Sequence, residues 1–447
     1  MSESFDNGSQ DASTQDDILT SAGTPPDVPP AEQEMEKLAQ PSGALALLNV
    51  FKHRNYRLFF SGQIVSLMGT WMQSVAQAWL VYSLTHSTVL LGLTSFASQV
   101  TVFFMASFGG MIADRVDRRK MLLVTQGLSM LQAALLAALV FAGIVQVWEI
   151  IALAFGLGLI NSVDVPTRQA MTLDMVSRGD LRHAIALNSM MFNAGRIVGP
   201  SLAGVLIAVA GEGVCFALNA LSFGAVLTSL ILMRLPQRSP RTSGRALHEI
   251  VQGYRYTLAS PRIRTALMLV AVSSMFGAAY LSMMPAFARD LLHGNSTSYG
   301  TLMTSVGVGA LIGAYLLSHI HERWLMTAPV VAAFSFGVFL IAFSHSHWMW
   351  LSIALVLPTA CSLMLLGGTT NTIIQTLSDE HMRGRVISHY TQCFMGMMPW
   401  GSLLLGWIAS HVGVSDAVSF GGLVVMASAA VAWFSHRDVG VNPAAAQ

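Results

Sequence analysis

Residues able to do chemistry are few in this sequence, because only 11% of its 447 residues are charged. Six of the seven residues from Asp114 to Lys120 carry charge, and Gly109 and Gly110 precede them. Basic residues alone would suit a loop. The acids Asp114 and Asp117 add groups that can pair with an arginine or with a helix N-terminus. Asp164 and Arg196 are a second pair of candidates, each set in an otherwise apolar run. A charge in such surroundings is costly unless paired, and a carboxylate held there can also take up a proton. A third group is neutral. Gln63, Ser66, Thr70, Gln73 and Gln77 recur at gaps of 3, 4, 3 and 4, which puts five polar side chains on one face of a helix.

Those residues need elements to position them. With 53% hydrophobic residues and a mean hydropathy of +0.57, the chain has lipid as its solvent. A spanning helix needs about 20 mostly apolar residues. Runs of that kind lie near 57–83, 88–112, 120–142, 148–167, 184–210 and 213–233, and again near 263–288, 298–318, 325–344, 348–372, 386–410 and 414–434. The expected fold is an all-α membrane protein with twelve transmembrane helices in two pseudo-symmetric six-helix bundles, 51–233 and 263–436. A basic connector, 234–262, separates them, and residues 437–447 form a short tail. The first 36 residues hold nine acids and no base, so 1–50 reads as a disordered acidic tail that buries too little apolar surface to order itself.

Basic residues remain on the cytoplasmic side. With the N-terminus inside, 22 of the 24 Lys and Arg fall in cytoplasmic loops, tails or span ends; Arg289 reaches the outer side and Arg196 lies within a span. Both termini are therefore expected in the cytoplasm, with Asp114–Lys120 in the inner turn after span two. Counting ~1.5 Å per residue from the outer span ends, Asp164 and Arg196 reach depths within ~3 Å of each other. They can form one buried pair, either a proton-coupling site or a static structural bond, and Arg196 can alternatively reach a substrate anion. The stripe in span one faces a water-filled or substrate cavity, or bonds a neighbouring helix. Asn161 and Asn193 in the first half, and Ser273, Ser274, Tyr280, Thr369 and Asn371 in the second, are further cavity candidates. Within the stripe, Gln73 and Gln77 are expected to tune substrate choice.

Several classes are excluded or disfavoured. A net charge of +1 argues against nucleic acid as a partner. His319-x-His321 and His345-x-His347 lack an acid or cysteine at ligand spacing, so no metal site is expected. No phosphate-cradling glycine loop with its lysine is present, which leaves no cofactor and no catalytic residue to assign. Cys215, Cys361 and Cys393 lie in apolar runs and read as buried inert thiols.

Gly110, Asp114, Arg115, Arg118 and Arg119 form a G-x-x-x-D-R-x-x-R-R pattern after span two. This resembles the loop signature of the major facilitator superfamily. That resemblance implies a latch that locks the two halves together on the cytoplasmic face. Glu322-Arg323 keeps a faint echo of it in the second half. Gly195, Gly199, Pro200 and Gly204 in span five form a small-residue ridge around a helix-bending proline. Simple tight packing would account for it. The spacing also resembles the superfamily's exporter signature, departing from it at Ala203. The segments Phe51–Tyr82, Asp164–Gln169, Ala186–Pro200 and Met382–Ser388 are similar to the enterobactin-exporter-like branch. The resemblance implies a secondary transporter that rocks around a midplane site and exports a siderophore-like or drug-like organic compound. Protons would be its coupling ion, the inner membrane its location and an outer-membrane export protein a further partner. An uptake carrier of the same fold and a membrane sensor that moves nothing are the alternatives.

Overall fold

The computed structural model describes residues 47, 49–105, 117–177, 179–234 and 246–440. Helices α1 (Arg54–Thr85), α2 (Thr88–Met105), α3 (Arg118–Phe141), α4 (Val147–Met175), α5 (Leu181–Ala210) and α6 (Glu212–Leu232) make up the first half. A connector helix α7 (Ala246–Ala259) follows. The second half contains α8 (Pro261–Leu291), α9 (Ser296–Leu317), α10 (Ala328–Ser344), α11 (Met349–Leu377), α12 (Glu380–Val412) and α13 (Val414–Gly440). Every regular element among the described residues is helical, as lipid requires of a chain that must satisfy its own backbone. Nine of these helices are long and apolar enough to cross a membrane. Helices α2 and α10 are shorter apolar helices, and α1 is 32 residues long but diluted by its polar stripe.

Helix ends follow from local chemistry. Asp117 caps α3, its carboxylate accepting from the backbone N–H groups of Arg119 (3.0 Å) and Lys120 (3.2 Å). Arg119 then donates to the carbonyls of Leu230 and Ile231 at 2.8 Å each, tying α3 to the C-terminal end of α6, where a cation is favoured. Arg118 reaches Asp174 on α4 at 2.8 Å. Arg118 and Arg119, two of the three arginines assigned to the latch, thus make these bonds within the first half. Gly110, Asp114 and Arg115 lie outside the described residues.

The halves meet along two crossings, each pairing the second long helix of one half with the fifth of the other. In the α5–α9 crossing, a Cβ added to Gly300 would sit 2.6 Å from the Pro200 carbonyl oxygen and 2.8 Å from the Gly204 Cα. In the α2–α12 crossing, one added to Gly406 would sit 2.5 Å from the Thr88 carbonyl oxygen. Both crossings therefore bring backbone against backbone, which only glycine permits. Helix α5 runs unbroken through Pro200 to Ala210. Its ridge divides: Gly195 and Gly199 face Trp71 on α1, and Gly204 faces α9.

Two helices of the second half change their hydrogen-bonding pattern. Helix α8 contains π-helical turns at Ser273–Ala278 and Phe287–Leu291, and α12 contains one at Gln392–Gly396. Such turns accommodate an extra residue and recur at functional sites. The connector helix docks on the start of α12, where Tyr254 stacks on His389 with ring centroids 3.9 Å apart. Gln252 accepts from Arg385 at 2.7 Å in the same contact.

Candidate functional site

Asp164 is 1% exposed in the middle of the first half. Its Oδ1 accepts from Thr125 Oγ1 (2.7 Å) and Gln126 Nε2 (2.8 Å), both on α3. Its Oδ2 is paired with Arg168, one turn further along α4. The expected Asp164–Arg196 pair does not form. The span was read as ending at 167, whereas α4 continues to Met175 and carries Arg168 at the i+4 position that faces Asp164. Two polar atoms of this cluster, Gln126 Oε1 and Arg168 Nε, are buried without a partner. Gln63 shares a narrow crevice with both residues, so this end of the α1 stripe adjoins the partners of the acid.

Higher along the stripe the reading needs correction. Gln73, 2% exposed, donates to Gln132 on α3 at 3.0 Å and accepts from Asn219 on α6 at 2.7 Å. Both ends of its amide are used between three helices, so Gln73 joins the bundle and does not face a cavity. Ser66 and Gln77 are also buried, and Thr70 is half-buried, its hydroxyl bonded to the Ser66 carbonyl at 2.9 Å. Asn193 is occupied in the same local way, donating to the Ser189 carbonyl at 2.9 Å. Asn161 and Asn371 are half-buried on α4 and α11.

Arg196, largely buried on α5, has no hydrogen bond or ion pair among the described residues. Tyr280 is 2% exposed and its hydroxyl is unpartnered, as are those of Ser273 and Ser274 in the π-turn before it. Phe336 and Phe343 flank the Tyr280 ring at 6.4 and 6.0 Å. The two halves differ in the kind of group they bury: the first gathers a carboxylate and amides into networks between helices that leave Gln126 Oε1, Gln132 Nε2 and Arg168 Nε unpartnered, and the second leaves the hydroxyls of Ser273, Ser274 and Tyr280 unpartnered.

At the end marked by Thr85 and Asn295, Tyr82 on α1 donates to Asp290 on α8, and Trp79 stacks on Tyr299 of α9 with centroids 6.0 Å apart. At the opposite end, Asp180 gathers His53 Nε2 (2.8 Å), Ser177 Oγ (2.8 Å) and Lys52 Nζ (3.2 Å). The hydrogen bond from His53 is the main force holding the Asp180 carboxyl down to about 2, with Ser177 and Lys52 adding to it. Arg168, Gln126, Thr125 and Asp290 are the functional candidates that motif reading missed. The i, i+4 spacing of Asp164 and Arg168 was the one available signal.

A family model described as transmembrane secretion effector matches residues 45–441. The chain is 26% identical over 389 residues to the staphyloferrin A transporter of Staphylococcus aureus, covering 86% of this chain and 96% of that protein. It is 28% identical over 394 residues to the enterobactin exporter EntS of Citrobacter koseri, covering 84% and 90% respectively. Among solved structures it resembles a bacterial homologue of the human lysosomal transporter Spinster, inward-facing and unoccupied (TM-score 0.66, 13% identity, 89% of this chain and 98% of that one). It also resembles an inward-facing bacterial homologue of the iron transporter ferroportin (TM-score 0.63, 16% identity, 85% and 97%).

Proposed function

The chain belongs to the transmembrane secretion effector family, in the enterobactin-exporter-like branch of the major facilitator superfamily, and on that premise we propose that it exports a small amphiphilic organic compound, siderophore-like or drug-like, in exchange for protons. The observation that carries this reading is the likeness, over more than four-fifths of the chain, to proteins that handle siderophores. In it, α1, α2 and α10 span the membrane beside the nine longer apolar helices, and both termini lie in the cytoplasm. The protein then works in the inner (plasma) membrane.

Asp164 is the proton carrier in this scheme. As a carboxylate it accepts from Thr125, Gln126 and Arg168 at once. Protonation turns one accepting oxygen into a donor and leaves Arg168 without its counter-charge. Removing one partner of a buried pair costs about 3–5 kcal/mol, and about 1.4 kcal/mol already moves an equilibrium tenfold. One proton therefore suffices to bias a two-state rocking motion. Tyr82–Asp290 and Trp79–Tyr299 close the outer end in this state. Asp114 and Arg115 would latch the cytoplasmic end in the other.

Everted membrane vesicles with an acid interior test the direction. Enterobactin should accumulate in them and be released when a protonophore collapses the gradient. Accumulation by intact cells instead would make the protein an uptake carrier, and pH-independent accumulation would remove protons from the cycle.

A further inference from the structure

Two of the partners that hold Asp164 have an atom to spare. Gln126 on α3 donates from Nε2 to Oδ1 of the acid at 2.8 Å, which leaves Gln126 Oε1 buried and unpartnered. Arg168 on α4 pairs with Oδ2 through Nη2, which leaves Arg168 Nε buried and unpartnered. One spare group is an acceptor and the other a donor. Both side chains sit on the two oxygens of a single carboxyl group, their helices pack together, and both line the crevice shared with Gln63. The crevice is too narrow to hold a water molecule, so solvent cannot satisfy either atom there. Buried polar groups are almost always satisfied, and here each spare atom is what the other needs. We infer that Gln126 is the positioning residue of the coupling step: it holds the Asp164 carboxylate through its N–H, and its oxygen receives Arg168 once that carboxylate is protonated.

This role deepens the export reading and rests on its proton carrier, Asp164. The step balances atom by atom. The incoming proton binds Oδ1, and the new O–H donates to Thr125 Oγ1, 2.7 Å away. Thr125 turns its own hydrogen to the Leu122 carbonyl, which it already meets at 3.3 Å. The acid is now neutral, so Arg168 keeps its charge and loses its counter-ion. Moving Nε onto Gln126 Oε1 gives the guanidinium a charge-assisted hydrogen bond in place of that attraction. Release of the proton reverses each move, and the O–H bond is the only covalent bond made or broken. Among the described residues, Arg168 is the charged group in contact with Asp164. Glu149 and Asp174 lie at the two ends of α4, and Asp174 is paired with Arg118. The other charged or histidine groups on helices packed against α4 cluster at the starts of α1 (Arg54, Arg57), α3 (Arg118, Arg119, Lys120) and α5 (Arg182, His183). Arg196, further along α5, forms no pair with the acid, and the described part of α2 carries no charge.

The test follows Asp164 by infrared spectroscopy of the full chain in lipid nanodiscs, with glutamine side-chain carbonyls isotope-labelled. The carbonyl band of the protonated acid is assigned by its absence in Asp164→Asn. In the unmutated protein, one labelled glutamine band should shift together with protonation, and that shift should be missing in Gln126→Met. Gln126→Met should also lower the midpoint of the Asp164 band by about half a pH unit to one unit. The sign follows because the carboxylate keeps Thr125 and Arg168, whereas the protonated state strands Arg168. A Gln126 that did no more than donate to the carboxylate would give the opposite sign, a raised midpoint. Gln63→Leu, in the same crevice, should leave the midpoint in place. The role of Gln126 is overturned by a protonation step with no glutamine shift, which the unmutated protein alone decides. A raised or unmoved midpoint in Gln126→Met, a shift that follows Gln63 instead, or an acid band that never appears before unfolding overturns it equally. A lowered midpoint without pH-driven enterobactin accumulation in everted vesicles would leave the switch standing and fail the export reading. Accumulation with an unmoved midpoint would do the reverse.

Discussion

The first half of the molecule ties its buried carboxylate and amides across helices, whereas the second leaves several buried hydroxyls unpartnered and breaks two helices with π-turns. In the first, Asp164, Gln73 and Asn219 each bond across to another helix, and all six helices are α-helical among the described residues. In the second, no acidic residue lies away from the span ends, two helices carry π-turns, and Ser273, Ser274, Tyr280 and Thr370 are buried with unpartnered hydroxyls. The difference is energetic as well as chemical. A satisfied polar network is costly to open, whereas an unsatisfied one gains from any partner it meets. In the proposed export cycle, the coupling acid is therefore placed in the first half.

The sharpest way to break this division is Asp164→Asn. Uptake into everted vesicles driven by a pH gradient should fall by more than about tenfold, while exchange down a substrate gradient persists, because the variant keeps the shape but not the titration. If pH-driven accumulation survives, the network is only structural. Next in size is Gln73→Leu, which strands Gln132 and Asn219. Leaving such groups buried and unpaired costs about 1–3 kcal/mol, so thermal unfolding in detergent should shift down. The pattern of exported compounds should stay the same; a changed pattern would return Gln73 to the cavity.

A smaller effect comes from the acid at the start of α5. The Asp180 carboxyl lies at about 2 against an ordinary 3.8, so its bonds to His53 and Lys52 stabilise the fold above that ordinary value and are lost as pH falls toward 2. Asp180→Asn should lower stability at neutral pH and flatten its further loss in that acid window, both measured by intrinsic fluorescence. Smallest is Ser274→Ala, which removes a hydroxyl with no partner. Stability should stay within about 0.5 kcal/mol, and a larger loss would mean that the second half is satisfied after all.

How much of this was legible depends on which forces act locally. Lipid demands long apolar runs, so the helices could be placed from residue type alone, to within a few residues at most ends. Asp117 was legible as an acid able to meet a helix N-terminus, which it does at the start of α3. Asp164 was recognisable as a buried acid, but its partner was misread because the helix end was set eight residues early, before Arg168. Gln73 was ambiguous by nature: a polar stripe reads the same whether it meets water or Gln132. The π-turns of α8 and α12 left no pattern, since they arise from packing against other helices and not from propensity.

Those π-turns act as a phase shift. Each α-helical residue advances the chain by about 100° around its axis, so one extra residue within Ser273–Ala278 rotates the whole outer part of α8 relative to its inner part. Tyr280, Met283 and Phe287 face where they do because of that offset. A single-residue insertion or deletion there would re-aim this face and shift Met275 and Phe276, whose carbonyls pack on Gly401 and Gly421. The register of this turn therefore sets both the facing of Tyr280 and Met283 and the seat of α8 against α12 and α13.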